Sequence, residues 1–111
     1  MLARMIRLLC FIVAAALASP AFAGASSFTL TNGVGGALSD LSIRRSGTND
    51  WKPLSQGPGG VVQFSDPDCA FDLRATVSGV GPVTWTGVNL CGAKGVTLKR
   101  SAAAGAWVDY D

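Results

Sequence analysis

Two cysteines stand at the far ends of two alternating apolar runs, one opening Cys69-Ala70-Phe71-Asp72-Leu73 and the other closing on Trp85-Thr86-Gly87-Val88-Asn89-Leu90-Cys91. Between the runs lies Gly79-Val80-Gly81-Pro82, whose composition folds a chain back on itself. Strict alternation sends successive side chains to opposite faces of a strand, so the segment reads as an antiparallel β-hairpin stapled by a Cys69–Cys91 disulfide. A hairpin centred on Val80 sets Val77 against Val83, Ala75 against Trp85, Leu73 against Gly87 and Cys69 against Cys91. Directly opposed strand residues lie about 4.5–5.5 Å apart at Cα, within disulfide range. In that register Val88 and Leu90 fall on the face opposite Trp85. A bulge at Gly87 would bring them round while moving Cys91 off the shared face, and the sequence leaves both arrangements open.

An oxidised pair needs an oxidising compartment, and the start of the chain supplies the route. Basic Arg4 and Arg7, an apolar run from Leu8 to Ala18 and the small-x-small site Ala21-Phe22-Ala23 make residues 1–23 a secretory signal, with cleavage expected before Gly24. Cleavage after Ala18 is the alternative. The apolar run is far shorter than the roughly 20 residues that span a bilayer. Cys10 sits near the start of that run, where it leaves with the signal and cannot carry a lipid, so no stable membrane anchor is expected after cleavage. The expected location is periplasmic or secreted.

Removing 23 of the 111 residues leaves a single domain of 88, residues 24–111. It also leaves 7 of the 9 basic residues against 7 acids, a neutral balance without the basic face that nucleic acid or an anionic membrane would require. A core of this size is modest. The staple, closing a loop of about 22 residues, contributes roughly 3 kcal/mol through the entropy of the unfolded chain.

The rest of the chain repeats the strand pattern. Ser27–Asn32 turns Phe28 and Leu30 to one face, and Leu38–Arg45 does the same with Leu41 and Ile43 after a Gly-rich turn. Val61–Ser65, Cys69–Ser78, Val83–Cys91, Gly95–Arg100 and Ala106–Tyr110 complete about seven short strands. Their number in so short a chain predicts an all-β fold, a single antiparallel β-sandwich, with a small β-barrel as the alternative. Ser46–Gly60 is the longest irregular segment and the expected place for a binding loop.

The chemistry is bounded by what is missing. The chain has no His, which removes the Ser/His/Asp and Cys/His mechanisms and the commonest general base. Two cysteines without histidine make a zinc site improbable, no calcium-binding loop spacing occurs, and no cofactor is expected. Gly33-Val34-Gly35-Gly36 lacks the Lys-Ser/Thr ending of a phosphate loop and reads as a turn. Asp66 and Asp68 flank Pro67 in a turn composition, and Asp72 is expected to form a local surface pair with Arg74 or to hold a turn. Trp85 is assigned to the core and Trp107 to the core or to a sheet-covering position. Trp51, following Asn49-Asp50 in the long loop, is expected to fold back as a lid on one end of the sandwich, and if exposed it is the best candidate contact for a ligand or partner protein. The expectation is therefore a non-enzymatic exported domain that binds a protein or small ligand through its loops, with Trp51, Asn49 and Asp50 at the site. A structural component of the cell envelope is one alternative, and an enzyme using Asp66, Asp68 and Asp72 is another.

Taken together, Phe28-Thr29-Leu30-Thr31-Asn32, Leu41-Ser42-Ile43, the Ser46–Trp51 loop, Cys69-x-Phe71-Asp72-Leu73 and Trp85-x-Gly87-Val88-Asn89-Leu90-Cys91 resemble a family of small exported bacterial proteins of no established function. Some members carry the label argininosuccinate lyase. That label conflicts with the residues present, because such lyases are large helical tetramers with catalytic His and Ser. The resemblance also has a departure: Lys52-Pro53 follows Trp51 where the family's loop is more acidic.

Overall fold

The computed structural model describes residues 24–111, and residues 1–23, expected to be a secretory signal and including Cys10, lie outside the described residues. Eight strands follow in chain order: β1 (Ala25–Asn32), β2 (Leu38–Arg45), β3 (Lys52–Pro53), β4 (Val61–Asp66), β5 (Ala70–Val77), β6 (Gly81–Asn89), β7 (Gly95–Ser101) and β8 (Gly105–Tyr110). Seven match the alternating runs of the sequence. The eighth, β3, is a two-residue strand inside the segment expected to be irregular, where Lys52 and Pro53 pair with Ile43 and Ser42.

The strands form two four-stranded sheets, β4-β1-β7-β8 and β3-β2-β5-β6, which do not close into a barrel. Every pairing is antiparallel except β1 with β7. Alternation explains the packing: Phe28, Leu30, Val62, Val96 and Leu98 face inward from the first sheet, and Ile43, Phe71, Leu73, Ala75 and Val77 from the second. Trp85 is buried among them and its indole Nε1 donates to the Lys99 carbonyl at 2.9 Å, satisfying the ring's polar atom across the two sheets. Phe64 stands edge-on to both Phe28 and Phe71, with centroids 6.2 and 5.2 Å away.

The hairpin corrects the expected register. Its apex is Gly79, in the left-handed region at φ 81°, and the Val80 amide donates to the Val77 carbonyl at 3.0 Å. Val77 therefore pairs with Gly81, Ala75 with Val83 and Leu73 with Trp85. Pro82, expected in the turn, instead lies in β6, where an edge strand tolerates the missing N–H. Between Leu73↔Trp85 and Phe71↔Val88 the β6 strand gains one residue, and Gly87 takes φ 64° there. This is a β-bulge. It turns Val88 and Leu90 onto the face of Trp85, leaving both at most 1% exposed. The bulge recovers one of the two positions lost by the shifted apex, so Cys69 stands opposite Leu90, whose amide donates to the Cys69 carbonyl at 2.9 Å. Cys91 lies one residue further on, and the Cys69–Cys91 disulfide still joins the two strands with its Cα atoms 5.0 Å apart. Such a bond is consistent with an oxidising compartment.

Candidate functional site

The outer face of the second sheet is polar because the residues between its inward apolar positions are Ser42 and Arg44 on β2 and Asp72 and Arg74 on β5. Pairing sets Arg44 opposite Asp72 and Ser42 opposite Arg74. β3 adds the next row, and the chain just before it lays Trp51 over this face. The Trp51 ring centroid lies 4.5 Å from Cζ of Arg44 and 4.1 Å from Cζ of Arg74, cation–π distances for both. Trp51 is half-buried, covering the outer face of a sheet instead of lidding one end of the sandwich.

Asp72 organises this region. Its side chain is buried, and its two oxygens accept from Ser46 Oγ at 2.7 Å, the Gly87 amide at 3.0 Å and Arg44 Nε at 2.8 Å. Burial pushes the carboxyl pKa up, but the three donors outweigh it and hold Asp72 below the ordinary carboxylate value. The same carboxylate thus fixes the start of the 46–57 segment and the bulge in β6. It makes no pair with Arg74, contrary to the local surface pair expected from their spacing. The expectation that it holds a turn fits the Ser46 bond.

The loop residues singled out in the sequence lie along this scaffold. Asn49 Oδ1 accepts from Arg44 Nη1 at 3.3 Å. Thr48 Oγ1 donates to the Arg45 carbonyl at 2.8 Å, closing the turn that begins at Arg45. Asp50 faces Lys52 at 3.5 Å in an exposed ion pair, which contributes little to stability. Trp51 and Asn49 share the arginine framework, while Asp50 stands at its margin.

On the other side of β2 the sandwich is open along its edge. Ile43, Phe64 and Phe71, with Arg45, Asp50 and Lys52, line a cleft of about 380 Å³ between the second sheet and β4. A neighbouring hollow of about 480 Å³ shares Ile43, Lys52 and Phe64 and extends past Leu54 and Gln56. Arg45 bridges the mouth, pairing with Asp66 at 3.2 Å and Asp68 at 3.1 Å. The Asp68 amide donates to Asp66 Oδ1 at 2.9 Å, and this bond is the chief cause holding Asp66 below its ordinary pKa. Asp66 and Asp68 do come together, but as a charge-compensated turn. A general acid at neutral pH needs a raised pKa, the opposite of the direction found at Asp66 and Asp72.

Trp107 is 40% exposed on the outer face of the first sheet, paired with Lys99. Among the described residues no cluster of three or more His, Cys, Asp or Glu side chains is placed to hold a metal ion, and no helix is long and apolar enough to cross a membrane. Compared with protein-family models, curated proteins and solved structures, the chain matches none of them.

The sequence reading missed the Arg44–Asp72–Ser46–Gly87 network. Its only sequence signal is a carboxylate placed between Phe71 and Leu73 on a strand whose other outer positions are Ala70, Arg74 and Thr76. The partners become visible only when the β2–β5 register is known.

Proposed function

We propose that this is an exported, non-catalytic binding protein that receives a small ligand or a segment of a partner in the cleft between the 46–57 segment and β4. The observation that carries this reading is the cleft itself. It has an apolar floor of Ile43, Phe64 and Phe71 under a charged rim of Arg45, Asp50 and Lys52, and its volume falls in the range of small-molecule sites. Export is supported by the signal-like residues 1–23 and by the disulfide. The reading as a binder is supported by the absence of His and by carboxylates held in their ionised form.

The test is a fragment titration of the ¹⁵N-labelled, disulfide-bonded mature chain followed by NMR. Saturable shifts should cluster at the amides of Ile43, Lys52 and Phe64. Lys52→Glu, an exposed change, should weaken those hits while leaving the spectrum otherwise dispersed. Hits scattered over the surface, or none that saturate, would sink the proposal.

A further inference from the structure

Arg44 and Arg74 lie against the same Trp51 ring but are not equivalent. Arg44 is compensated, giving Nε to Asp72 and Nη1 to Asn49. Arg74 has no carboxylate within ion-pair distance among the described residues. No buried polar side-chain atom lacks a hydrogen-bond partner among those residues, so any free N–H of Arg74 opens to solvent. The ring therefore carries two guanidinium charges and only one opposing carboxylate beneath it. One positive charge, half-buried and stacked, is left to be met from outside.

We infer that Arg74 and Trp51 form a binding site for a carboxylated sugar, distinct from the cleft on the other side of β2. A guanidinium lying against an aromatic ring keeps its edge donors free in a planar fork, the geometry that matches a carboxylate. Stacking also restricts the side chain before the ligand arrives, reducing the ordering cost of binding. The neighbours favour a hydroxyl-rich body. Ser42 and Thr84 are the two residues directly opposite Arg74, one on each flanking strand, so hydroxyl-bearing residues flank the Arg74 position on the same face. Ser42 Oγ donates to the Asp40 carbonyl at 3.3 Å, which leaves its oxygen to accept. A phosphate fits less well, because a doubly charged tetrahedral group gains from several converging cations and Arg44 is already committed to Asp72.

The experiment titrates the ¹⁵N-labelled, disulfide-bonded mature chain with the sodium salt of methyl β-glucuronide. Methyl β-glucoside and N-acetylglutamate amide serve as comparison probes. The glucuronide should give saturable shifts at the Ser42, Arg74 and Thr84 amides and the Trp51 indole, without moving Phe64 in the cleft. Arg74→Gln should weaken it by about tenfold or more, as expected for loss of a charge-assisted pair. Arg74→Lys, which keeps the charge but loses the fork, should fall between, and Arg100→Gln on the other sheet should match the parent. Spectral dispersion of each variant reports that it is folded. Equal response to glucuronide and glucoside would overturn the assignment, as would a linear response or an unchanged affinity in Arg74→Gln. Binding of N-acetylglutamate amide as tight as that of the glucuronide would also overturn it, making this an acidic-peptide site. Because the cleft amides are followed in the same spectra, failure here is distinguishable from failure of the cleft proposal.

Discussion

Asp72 accepts a 2.8 Å hydrogen bond from Arg44 Nε directly across the β2–β5 ladder, on a face of the sheet that would otherwise be open to water. The carboxylate is nonetheless only 4% exposed, because the chain from Ser46 onward and the bulge at Gly87 close over it. Removing it leaves a guanidinium, a hydroxyl and an amide without their acceptor. Asp72→Ala should therefore destabilise the domain by about 2–3 kcal/mol, below the full value for a buried pair since Arg44 is partly solvated. Asp72→Asn, which keeps the shape and one acceptor, should cost about half as much. Urea unfolding measures both as shifts in midpoint at constant slope. A loss under about 0.5 kcal/mol for Asp72→Ala would mean that water replaces the carboxylate without penalty.

The same network sets the acid limb of stability. Asp66 and Asp72 both have folded pKa values depressed below the unfolded value of about 3.9. A depressed carboxylate stabilises the fold fully above its unfolded pKa and loses that contribution as pH falls through the folded one. With no His in the chain, the urea midpoint should stay level from about pH 5 to 8 and fall below about pH 4. Asp72→Asn should flatten part of that fall. An acid limb of unchanged steepness in Asp72→Asn would assign it to other carboxylates.

The fold was largely legible from alternation and the cysteine pair, because both depend on local spacing. Phe28, Leu30, Trp85 and the Cys69–Cys91 bond stand where the pattern requires. The register was less legible. Either Gly79 or Val80 can sit at the apex of this turn, and the choice shifts every pairing after it. The site was harder still, since Asp72 draws its partners from 15, 26 and 28 residues away in sequence. Trp51 was identified as a residue of interest from the loop around it, but its two arginines lie on strands whose pairing the sequence did not reveal.

Glycine positions separate backbone strain from steric conflict. Gly87 adopts φ 64° with nothing within 4 Å of an added Cβ, so Gly87→Ala should cost only about 1 kcal/mol, the left-handed penalty. Gly60 has φ 80°, and its added Cβ would lie 2.7 Å from the Leu30 carbonyl oxygen. Gly60→Ala should therefore cost more than Gly87→Ala, because it must also displace the backbone of β1. Thermal melts of the two variants rank them, and equal melting temperatures would show that the Pro58–Gly60 turn shifts freely.

The disulfide should act mainly on the unfolded chain. It closes a separation of 22 residues, for which loop entropy gives about 3 kcal/mol. The Cys69→Ser/Cys91→Ser protein should therefore retain the same β-sheet spectrum while unfolding at lower urea. If the pair also holds the bulge, the Gly87 amide will exchange faster with solvent in the double variant than in the parent, by more than the global loss of stability explains. Local exchange equal to the global change would assign the bulge to Asp72 alone, whose carboxylate accepts from that amide at 3.0 Å. An intact non-reduced mass with two free thiols in every molecule would remove the staple from the argument altogether.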